Sequence, residues 1–424
     1  MDNRRPAKNR EALLIAVFFV FGFLFRISLV ASFPQPRIWD QDQYYGFALG
    51  MIREGWHADT VRLYGYPLII VPFILFFGDS FQWYLTIFQS LLDCATAILV
   101  WMLGTRLFTK VSAWAGYIIY LANPYTAAYT GVILTEIIAI FLVTLIIYLL
   151  FRTISSRSIQ LAIILALLLG FLPQVRPSFV YLTIIGLVFL LYLMRARIVK
   201  WATGTVLVFF YVLPFSYNIA VNVYRYQQLA LQSVDNVFIR EVYISLYINR
   251  AAPPGNMSFT WPDEVYAAWW DFSSATTPQG RAAMNEKYKT FVLNIIKRDP
   301  IGFVKSRVAK VWYVWEKHYL FPYIPQQGGR IITVVIYWVN VGLLTLAAGG
   351  FIQWYLTSAV TNNKILRHFG TVAVFVIVYI SIAHIFSTSE ERFSLPGYPM
   401  IFLFAGYAII RLTTMLDKIY DRES

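Results

Sequence analysis

Long apolar runs separated by short polar connections make up most of this chain. Many of them approach or exceed the roughly 20 residues that a helix needs to cross a bilayer. They predict about ten membrane-spanning helices, with ends placed to within several residues: 12–31, 82–105, 111–127, 131–151, 159–175, 178–194, 201–222, 331–356, 367–386 and 394–413. The expected fold class is an all-α polytopic membrane protein with additional interfacial helices and one large outer loop.

One apolar segment, residues 66–78, is too short for a full span. If this segment crossed the membrane, every later loop would lie on the opposite side of the membrane, and most basic loops would be outside. We therefore predict a helix that lies in the outer interface or dips into it. Asn123-Pro124 interrupts a second, longer apolar region, because proline ends a helix near the preceding residue.

Lysine and arginine are unevenly shared between the two sides of the predicted spans. The side of the N-terminus has basic clusters at Arg4–Arg10, Arg195–Lys200 and Arg411–Arg422, whereas the short connections on the opposite side have few. Because basic loops stay cytoplasmic, both termini are expected to be cytoplasmic, in a plasma or inner membrane, and the first outer loop extracytoplasmic. The net charge of +13 is thus mainly a topology signal, and we expect no nucleic-acid partner.

Composition agrees with the pattern, since 58% of the residues are hydrophobic and only 13% are charged. The first apolar run has no small-residue cleavage site after it, which indicates a signal anchor. The single cysteine, Cys94, excludes an internal disulfide. The sequence shows no Gly-rich phosphate loop, no Ser-His-Asp arrangement and no His/Cys metal spacing.

Three regions follow from this pattern. Residues 1–222 form an N-terminal transmembrane core with the first outer loop at 32–81, and residues 330–424 form C-terminal membrane helices and a short cytoplasmic tail. Residues 223–329 form an extracytoplasmic helical loop rich in Tyr, Trp and basic residues. Within it, residues 300–315 have an apolar stripe at helical spacing, which predicts an amphipathic helix along the membrane surface. We expect no self-contained globular domain there, because the region has little apolar bulk.

Carboxylates and arginines fall at the predicted outer ends of the membrane helices. A carboxylate can take a proton from a hydroxyl as a general base, and arginine forks bind phosphate oxygens and offset developing charge. We therefore predict one outward cavity formed by Asp40, Asp42, Arg62, Glu136, Arg176, Glu390, Glu391 and Arg392. Asp40 is the catalytic-base candidate, and Asp42, two residues on, is its competitor.

Several of these residues also have plain structural interpretations. Glu136 could bind a sugar hydroxyl or a metal, or it could be a helix-start carboxylate favoured by the macrodipole. Arg176 and Arg392 could hold phosphate or anchor helix ends at the interface. Arg26, inside the first span, is interpreted as structural or lipid-phosphate binding, and Asp93 is an intramembrane carboxylate with no partner visible in the sequence.

The ordered motifs resemble those of the C-type (GT-C) membrane glycosyltransferases, particularly the bacterial group related to lipid A aminoarabinose transferase, protein O-mannosyltransferases and lipopolysaccharide galacturonosyltransferases. Each motif alone is weak, and the ordered set, which extends over nearly the whole chain, is fairly specific. The first-loop pattern Asp-x-x-x-Tyr-x-x-x-Ala and the later blocks match Asp40, Tyr44, Ala48, Gly55, Arg62, Gly65, Tyr66, Pro67, Asn123, Pro124, Thr135, Glu136, Arg176, Pro177, Arg392, Leu395 and Pro396.

The resemblance implies a GT-C fold and an inverting hexosyl- or pentosyltransferase of the cell envelope. Its donor would be a polyprenyl-phosphate-linked sugar, and its acceptor an extracytoplasmic hydroxyl of a glycan, lipid or protein. Membrane lipid would surround it, and the 223–329 loop would cover the cavity. Implied roles are Asp40 as base, Arg62, Arg176 or Arg392 on the phosphate, Asn123 and Glu136 orienting the sugar, and Tyr44, Tyr64 and Tyr66 stacking on it.

The departures from the family pattern concern a metal and a phosphate ligand. The Asp-Glu pair of many relatives is Asp40-Gln41 here, and the Glu-Lys-Pro of aminoarabinose transferases is Gly65-Tyr66-Pro67. No cofactor is therefore certain, and a divalent metal stays open. Two rival classes are a transporter or lipid flippase, which would place charges near the bilayer midplane, and a non-catalytic membrane scaffold.

Overall fold

The computed structural model describes residues 4–55, 62–195, 201–230, 238–248, 261–275, 277–324, 329–357, 360 and 362–423. These residues form helices and no β-strand. In chain order the α-helices are α1 (Arg4–Ser32), α2 (Asp40–Glu54), α3 (Gly65–Phe77), α4 (Phe81–Leu107), α5 (Lys110–Ala122), α6 (Pro124–Ala127), α7 (Glu136–Ser156), α8 (Ile159–Val175), α9 (Val180–Arg195), α10 (Trp201–Val212), α11 (Ser216–Tyr226), α12 (Phe238–Tyr247), α13 (Asp263–Ser274), α14 (Pro278–Arg298), α15 (Pro300–Trp315), α16 (Gly329–Tyr355), α17 (Lys364–Ile385) and α18 (Tyr398–Glu423).

Seven helical segments of the described residues are long and apolar enough to cross a membrane. They contain α1, α3 with α4, α7, α10 with α11, α16, α17 and α18. Three further apolar helices, α5, α8 and α9, are shorter at 13, 17 and 16 residues. The prediction of an all-α polytopic membrane protein is confirmed, and the chain is an integral membrane protein.

Two predicted spans extend several residues beyond the observed helices, next to the predicted break at Asn123-Pro124. The span predicted at 111–127 ends at Ala122, because Asn123 turns into an extended conformation and Pro124 starts the short α6. The span predicted at 131–151 begins at Glu136, because a 3-10 turn and bends occupy the residues before it. Both errors arise from polar breaks inside one continuous apolar region.

Helix α3 is the short apolar segment that the sequence placed in the interface. Its 13 residues span about 20 Å at 1.5 Å per residue, which is less than the hydrocarbon core of about 30 Å. It leads into α4 through the 3-10 turn Gly78–Ser80. Its length therefore agrees with a dipping helix, and its depth in the membrane stays a prediction.

The largest hydrophobic core lies among the transmembrane helices, with α4, α7, α8 and α18 contributing many of its buried residues. Helix α18 crosses α5 closely at Gly406. A Cβ atom on Gly406 would lie 2.4 Å from the backbone nitrogen of Gly116. Small residues at such a crossing let two helix backbones approach closely, which is how helices associate in a membrane.

A buried ion pair joins α1 to α4. Arg26 and Asp93 are both 0% exposed, and Arg26 Nε donates to Asp93 Oδ2 at 2.7 Å. Arg26 Nη1 also donates to the Leu121 carbonyl oxygen on α5 at 2.9 Å. Arg26 therefore has a structural role, and the partner that the sequence did not show for Asp93 is this arginine.

The same carboxylate also holds the break between α5 and α6. Asp93 Oδ1 accepts from the Tyr120 hydroxyl at 2.6 Å, and Asp93 Oδ2 accepts from Thr126 Oγ1 at 2.9 Å. Asn123 caps α6 by accepting from the Thr126 backbone N–H at 3.1 Å. We call Arg26, Asp93, Tyr120, Asn123 and Thr126 the intramembrane polar network.

The region between α11 and α16 is more compact than the sequence indicated. Helices α12, α13 and α14 pack around a small core of their own, formed by Val242, Tyr243, Ile244, Ile248, Val265, Ala268, Phe272, Tyr288 and Val292. The expectation of little apolar bulk is thus corrected. Residues 231–237, 249–260, 276 and 325–328 of the predicted 223–329 loop lie outside the described residues.

Helix α15 is amphipathic as predicted, but its basic face is the buried one. Ile301 and Val308 are 68% and 66% exposed, whereas Arg307 and Lys310 are 5% and 0% exposed. Arg307 Nη1 donates to the Ile385 carbonyl oxygen at 3.0 Å, at the end of α17. Cations stabilise such a helix C-terminus. The apolar face points away from the protein, which suits the predicted contact with the membrane surface.

Lys310 Nζ donates to the carbonyl oxygens of Ser245 and Ser387 at 2.9 and 3.0 Å. Burial, together with the nearby Arg307 guanidinium, lowers the pKa of Lys310 from 10.5 to about 7. Lys310 and Arg307 therefore hold α12 and α17 through carbonyl oxygens.

We expect Asp93→Asn to lower the free energy of unfolding by about 3–5 kcal/mol, because it leaves the Arg26 guanidinium buried without its counter-charge. Equilibrium unfolding in mild detergent measures this. The control is Asp79→Asn, an exposed aspartate in the turn between α3 and α4. The double variant Arg26→Leu/Asp93→Leu should recover most of the loss. Equal stability of Asp93→Asn and the control would show that the pair does not hold the helices.

The stability of Lys310→Met relative to wild type should be most favourable below pH 7 and should fall as the pH rises, on top of a constant loss of two hydrogen bonds. The unfolded lysine binds a proton up to about pH 10.5, whereas the folded one releases it near 7. The free-energy cost of burying the charged lysine in the wild-type protein is therefore complete below pH 7, and it decreases as the pH rises toward 10.5. Thermal unfolding across this range tests it, with the exposed Lys305→Met as control. A stability difference that does not change with pH would contradict the assignment.

Candidate active site

Helix α2, which follows α1 in the chain, has Asp40 as its first residue. The residue before it, Trp39, has a φ of 59°, which L-residues rarely adopt and which typically costs about 1–3 kcal/mol. Gln41 is fully buried: its Nε2 donates to the Pro36 carbonyl oxygen at 2.7 Å and its Oε1 accepts from the Ile133 N–H at 2.8 Å. Gln41 thus fixes α2 against the residues before α7.

The Asp40 carboxylate lies between two arginines. Its Oδ1 accepts from Arg62 Nη2 at 2.5 Å, and its Oδ2 accepts from Arg392 Nη2 at 2.8 Å. The side chain keeps 24% of its surface exposed. Burial raises the pKa of the Asp40 carboxyl, but the Arg392 and Arg62 guanidiniums outweigh burial and hold this pKa below its ordinary value. Asp40 is therefore ionised at neutral pH.

Arg62 is held by α2 itself. Its Nε donates to Gln43 Oε1 and its Nη1 to the Tyr44 hydroxyl, both at 3.0 Å. The guanidinium carbon lies 4.6 Å from the centre of the Tyr44 ring, which adds a cation–π contact. Each nitrogen of Arg62 thus has an acceptor on α2, and Arg62 keeps the Asp40 side chain in one position.

Arg392 lies on the 3-10 turn Glu391–Gly397 that precedes α18. It is 9% exposed, its Nε donates to Glu390 Oε2, and the same Nε lies 3.7 Å from Glu136 Oε1. Burial raises the pKa of Glu390 above its ordinary value, although Arg392 opposes this. Arg392 therefore connects three carboxylates, those of Asp40, Glu136 and Glu390.

Glu136 and Arg176 complete the cluster from two helix ends. Glu136 is the first residue of α7, and Arg176 ends α8 in an extended conformation before Pro177. They are 3% and 7% exposed, and Arg176 Nη1 lies 3.5 Å from Glu136 Oε1. Burial lowers the pKa of the Arg176 guanidinium, although Glu136 opposes this.

Two atoms of this pair are buried without a hydrogen bond. Glu136 Oε2 and Arg176 Nη1 have no such partner among the described residues. A buried polar group left in this state typically costs about 1–3 kcal/mol. A ligand that offers a hydrogen-bond donor to Glu136 and an acceptor to Arg176 would satisfy both atoms.

Gly65 determines how closely α3 approaches the end of α8. A Cβ atom at Gly65 would lie 2.6 Å from the backbone carbonyl carbon of Gln174 and 2.8 Å from the nitrogen of Val175. Any side chain would therefore push against the residues that lead into Arg176. The glycine of the Gly65-Tyr66-Pro67 block thus has a packing role beside the site.

Of the polar residues predicted to share one cavity, Asp40, Arg62, Glu136, Arg176 and Arg392 lie together in one set of ion pairs. Their predicted functional roles stay predictions. Glu390 joins them through Arg392. We call these six residues the arginine–carboxylate cluster. It contains three carboxyl groups and three guanidiniums, so its formal charges balance. Glu390 belongs to the polar residues that the sequence predicts near the cavity, and no binding role is predicted for it.

Asp42 and Asn123 lie elsewhere. Asp42 is 53% exposed and pairs with Arg37 Nε at 3.0 Å, on the solvent side of α2. Asn123 bonds to Tyr120 and Thr126 in the intramembrane polar network. In the part of the chain that the structure describes, neither residue forms a hydrogen bond or ion pair with a cluster arginine. Their predicted roles therefore stay predictions without support from their positions.

The three tyrosines expected to stack on a sugar are all buried. Tyr64 donates its hydroxyl to the Pro214 carbonyl oxygen at 2.8 Å, and Tyr66 donates to Gln89 Oε1 at 3.1 Å. Tyr44 meets Tyr66 edge to face, with ring centroids 5.0 Å apart. In this structure they support α2 and α3, and their stacking role stays a prediction.

Tyr323 is a neighbour of the cluster that the sequence did not reveal. It is 1% exposed, and its backbone N–H donates to Gln35 Oε1 at 3.1 Å. Burial raises its pKa, and the charges of Arg392, Asp40 and Glu136 also act on it. Nothing in its local pattern separates it from the other aromatic residues of the outer region.

No protein-family model matches the chain, and a search of curated proteins finds no significant match. Among solved structures, the oligosaccharyltransferase of Archaeoglobus fulgidus is similar. The structure of this enzyme tethered via a disulfide bond to an acceptor peptide containing the NVT sequon has a TM-score of 0.49 against this chain. The sequence identity is 12%, and the match covers 96% of this chain and 50% of that one. Its apo form gives 0.49 at 11% identity, covering 96% and 52%.

A third structure, the same archaeon's AglB in complex with an inhibitory peptide and a dolichol-phosphate, gives a TM-score of 0.47 at 12% identity, covering 97% of this chain and 51% of that one. The chain thus spans about half the length of the structures it matches. With TM-scores below 0.5, this likeness does not by itself assign a fold family or an activity.

Proposed function

We propose that this chain is a GT-C-type inverting glycosyltransferase of the membrane. It transfers a sugar from a polyprenyl-phosphate-linked donor to an extracytoplasmic hydroxyl of a lipid, glycan or protein. The observation that carries the proposal is the arginine–carboxylate cluster at the ends of apolar helices, with Arg176 Nη1 buried and unbonded among the described residues. The ordered motifs of the sequence support the same class.

Arg176 is the phosphate ligand that the geometry favours. Arg62 and Arg392 already donate to carboxylates at short distance, whereas Arg176 is 3.5 Å from its nearest carboxylate oxygen. A planar guanidinium binds phosphate oxygens strongly. The donor phosphate on Arg176 would bring the sugar beside Glu136, whose unbonded Oε2 would accept from a sugar hydroxyl.

Asp40 acts as the general base. The acceptor hydroxyl gives its proton to the Asp40 carboxylate, and its oxygen attacks the anomeric carbon from the face opposite the phosphate. The bond from that carbon to the phosphate oxygen breaks, and the electron pair leaves with the polyprenyl phosphate. Arg176 and Arg392 offset the charge that develops on the leaving group.

The rival classes fit the charges less well. A transporter needs charged groups near the midplane that exchange partners, but the buried Arg26–Asp93 pair is enclosed at 0% exposure and bonded on both carboxylate oxygens. A scaffold gains nothing from the unbonded Glu136 and Arg176 atoms, because each destabilises the fold. A transferase uses them when substrate binds.

We expect Asp40→Asn to lower turnover by about 100- to 10,000-fold, because the amide cannot accept the proton. The assay uses wild-type protein reconstituted in lipid with undecaprenyl- and dolichyl-phosphate sugars. Asp42→Asn, two residues away and solvent-exposed, is the matched control and should keep near wild-type turnover at equal thermal stability.

Loss of turnover in Asp42→Asn with an active Asp40→Asn would show that the base is assigned to the wrong aspartate. Failure of wild type to consume any of these donors, with both variants indistinguishable from it, would favour the transporter and scaffold classes.

Arg176→Gln should weaken donor binding by about 10- to 100-fold, the value of a hydrogen bond to a charged group. Arg176→Lys should bind the donor with an affinity between those of wild type and Arg176→Gln, because lysine keeps the positive charge but loses the bidentate guanidinium geometry. Binding of a polyprenyl-phosphate sugar in nanodiscs measures this, with the exposed Arg53→Gln of α2 as control. Unchanged binding in Arg176→Gln, combined with a loss in Arg62→Gln, would place the phosphate on Arg62 instead.

A further inference from the structure

A second group of polar side chains lies where α15 ends. Glu316 follows the last residue of α15 with φ −66° and ψ 157°, in the extended region. Side chains alternate in an extended chain, so Glu316 and His318 are placed on one side and Lys317 on the other. Glu391, on the 3-10 turn before α18, meets this segment: its Oε2 accepts from the His318 backbone N–H at 2.7 Å.

One ring nitrogen of His318 and one carboxylate oxygen each of Glu316 and Glu391 all lie within 4.8 Å of one another. His318 Nδ1 is 3.0 Å from Glu391 Oε1. Ligand atoms that share one divalent ion at about 2.0–2.2 Å lie roughly 3–3.5 Å apart. Small side-chain rotations therefore bring the three atoms around one ion.

Both carboxylates of this group are enclosed by the protein, with Glu316 and Glu391 4% and 2% exposed. A divalent cation between them would offset their negative charge. Lys317 Nζ donates to the Glu391 carbonyl oxygen and to Ser394 Oγ. The His318 side chain, 27% exposed, leaves an entry path.

We propose that Glu316, His318 and Glu391 bind a first-row divalent cation of the Zn²⁺ or Mn²⁺ type. One imidazole nitrogen with two carboxylate oxygens suits these ions better than Ca²⁺ or Mg²⁺, which prefer oxygen ligands alone. None of the three residues belongs to the first outer loop. The ion joins the end of α15 to the turn that carries Arg392, so it acts as a positioning element for that arginine.

The experiment uses the full chain in detergent, stripped with a chelator and then titrated with Zn²⁺ or with Mn²⁺. Calorimetry and elemental analysis measure bound metal, and thermal unfolding measures stability with and without it. We expect one ion per chain and a higher Tm with metal. His318→Gln and Glu316→Gln should each weaken binding by about tenfold or more and lose the Tm increase.

His368→Gln is the matched control, since this partly buried histidine lies against Phe189 on another helix, and it should bind like wild type. Wild-type protein that binds neither ion, or His318→Gln and Glu316→Gln variants that bind like wild type, would overturn the proposal and leave a histidine–glutamate ion pair. Because no donor or acceptor is present, the result is independent of the transferase proposal.

Discussion

The ion pair between Arg26 and Asp93 constrains the rest of the structure. Each ion alone would cost several kcal/mol to bury, so α1, α4 and α5 can pack only in the register that brings the pair together. Helix α1 continues from Arg26 to Ser32, and α2 begins eight residues later at Asp40. The position of the candidate base thus depends on a charge pair inside the membrane region.

The two groups of buried charge differ in a way that separates structure from function. Both carboxylate oxygens of Asp93 have short hydrogen bonds, and Arg26 is bonded to three acceptors on three helices. In the arginine–carboxylate cluster, by contrast, Glu136 Oε2 and Arg176 Nη1 have no bond within the described residues. Arg26 Nη2 also has no hydrogen bond there, but it lies 2.7 Å from Asp93 Oδ2, whereas Arg176 Nη1 lies 3.5 Å from Glu136 Oε1. The shorter pair has the structural role, and the longer pair is the one for which we propose a ligand.

The sequence predicts the membrane helices well, because the thickness of the bilayer sets their length. It also predicts that Asp40, Arg62 and Arg392 lie close together, because the charge of the loops indicates which helix ends share a side of the membrane. It does not show the partner of Asp93, since that pairing joins residues 67 apart in the chain. The amphipathic pattern of α15 does not show which face of the helix is buried. In the structure, Arg307 and Lys310 are buried and donate to carbonyl oxygens of neighbouring segments.

Charge balance explains how the cluster suits the proposed reaction. Its three guanidiniums and three carboxyl groups have formal charges that sum to zero, so the proposed phosphodiester donor brings the site to a formal charge of minus one. As the donor bond breaks, the phosphate gains negative charge while Asp40 takes the acceptor's proton. The total charge of the site therefore stays constant along the reaction. A preorganised site of constant charge needs little rearrangement in the transition state, which is how fixed dipoles and charges accelerate such steps.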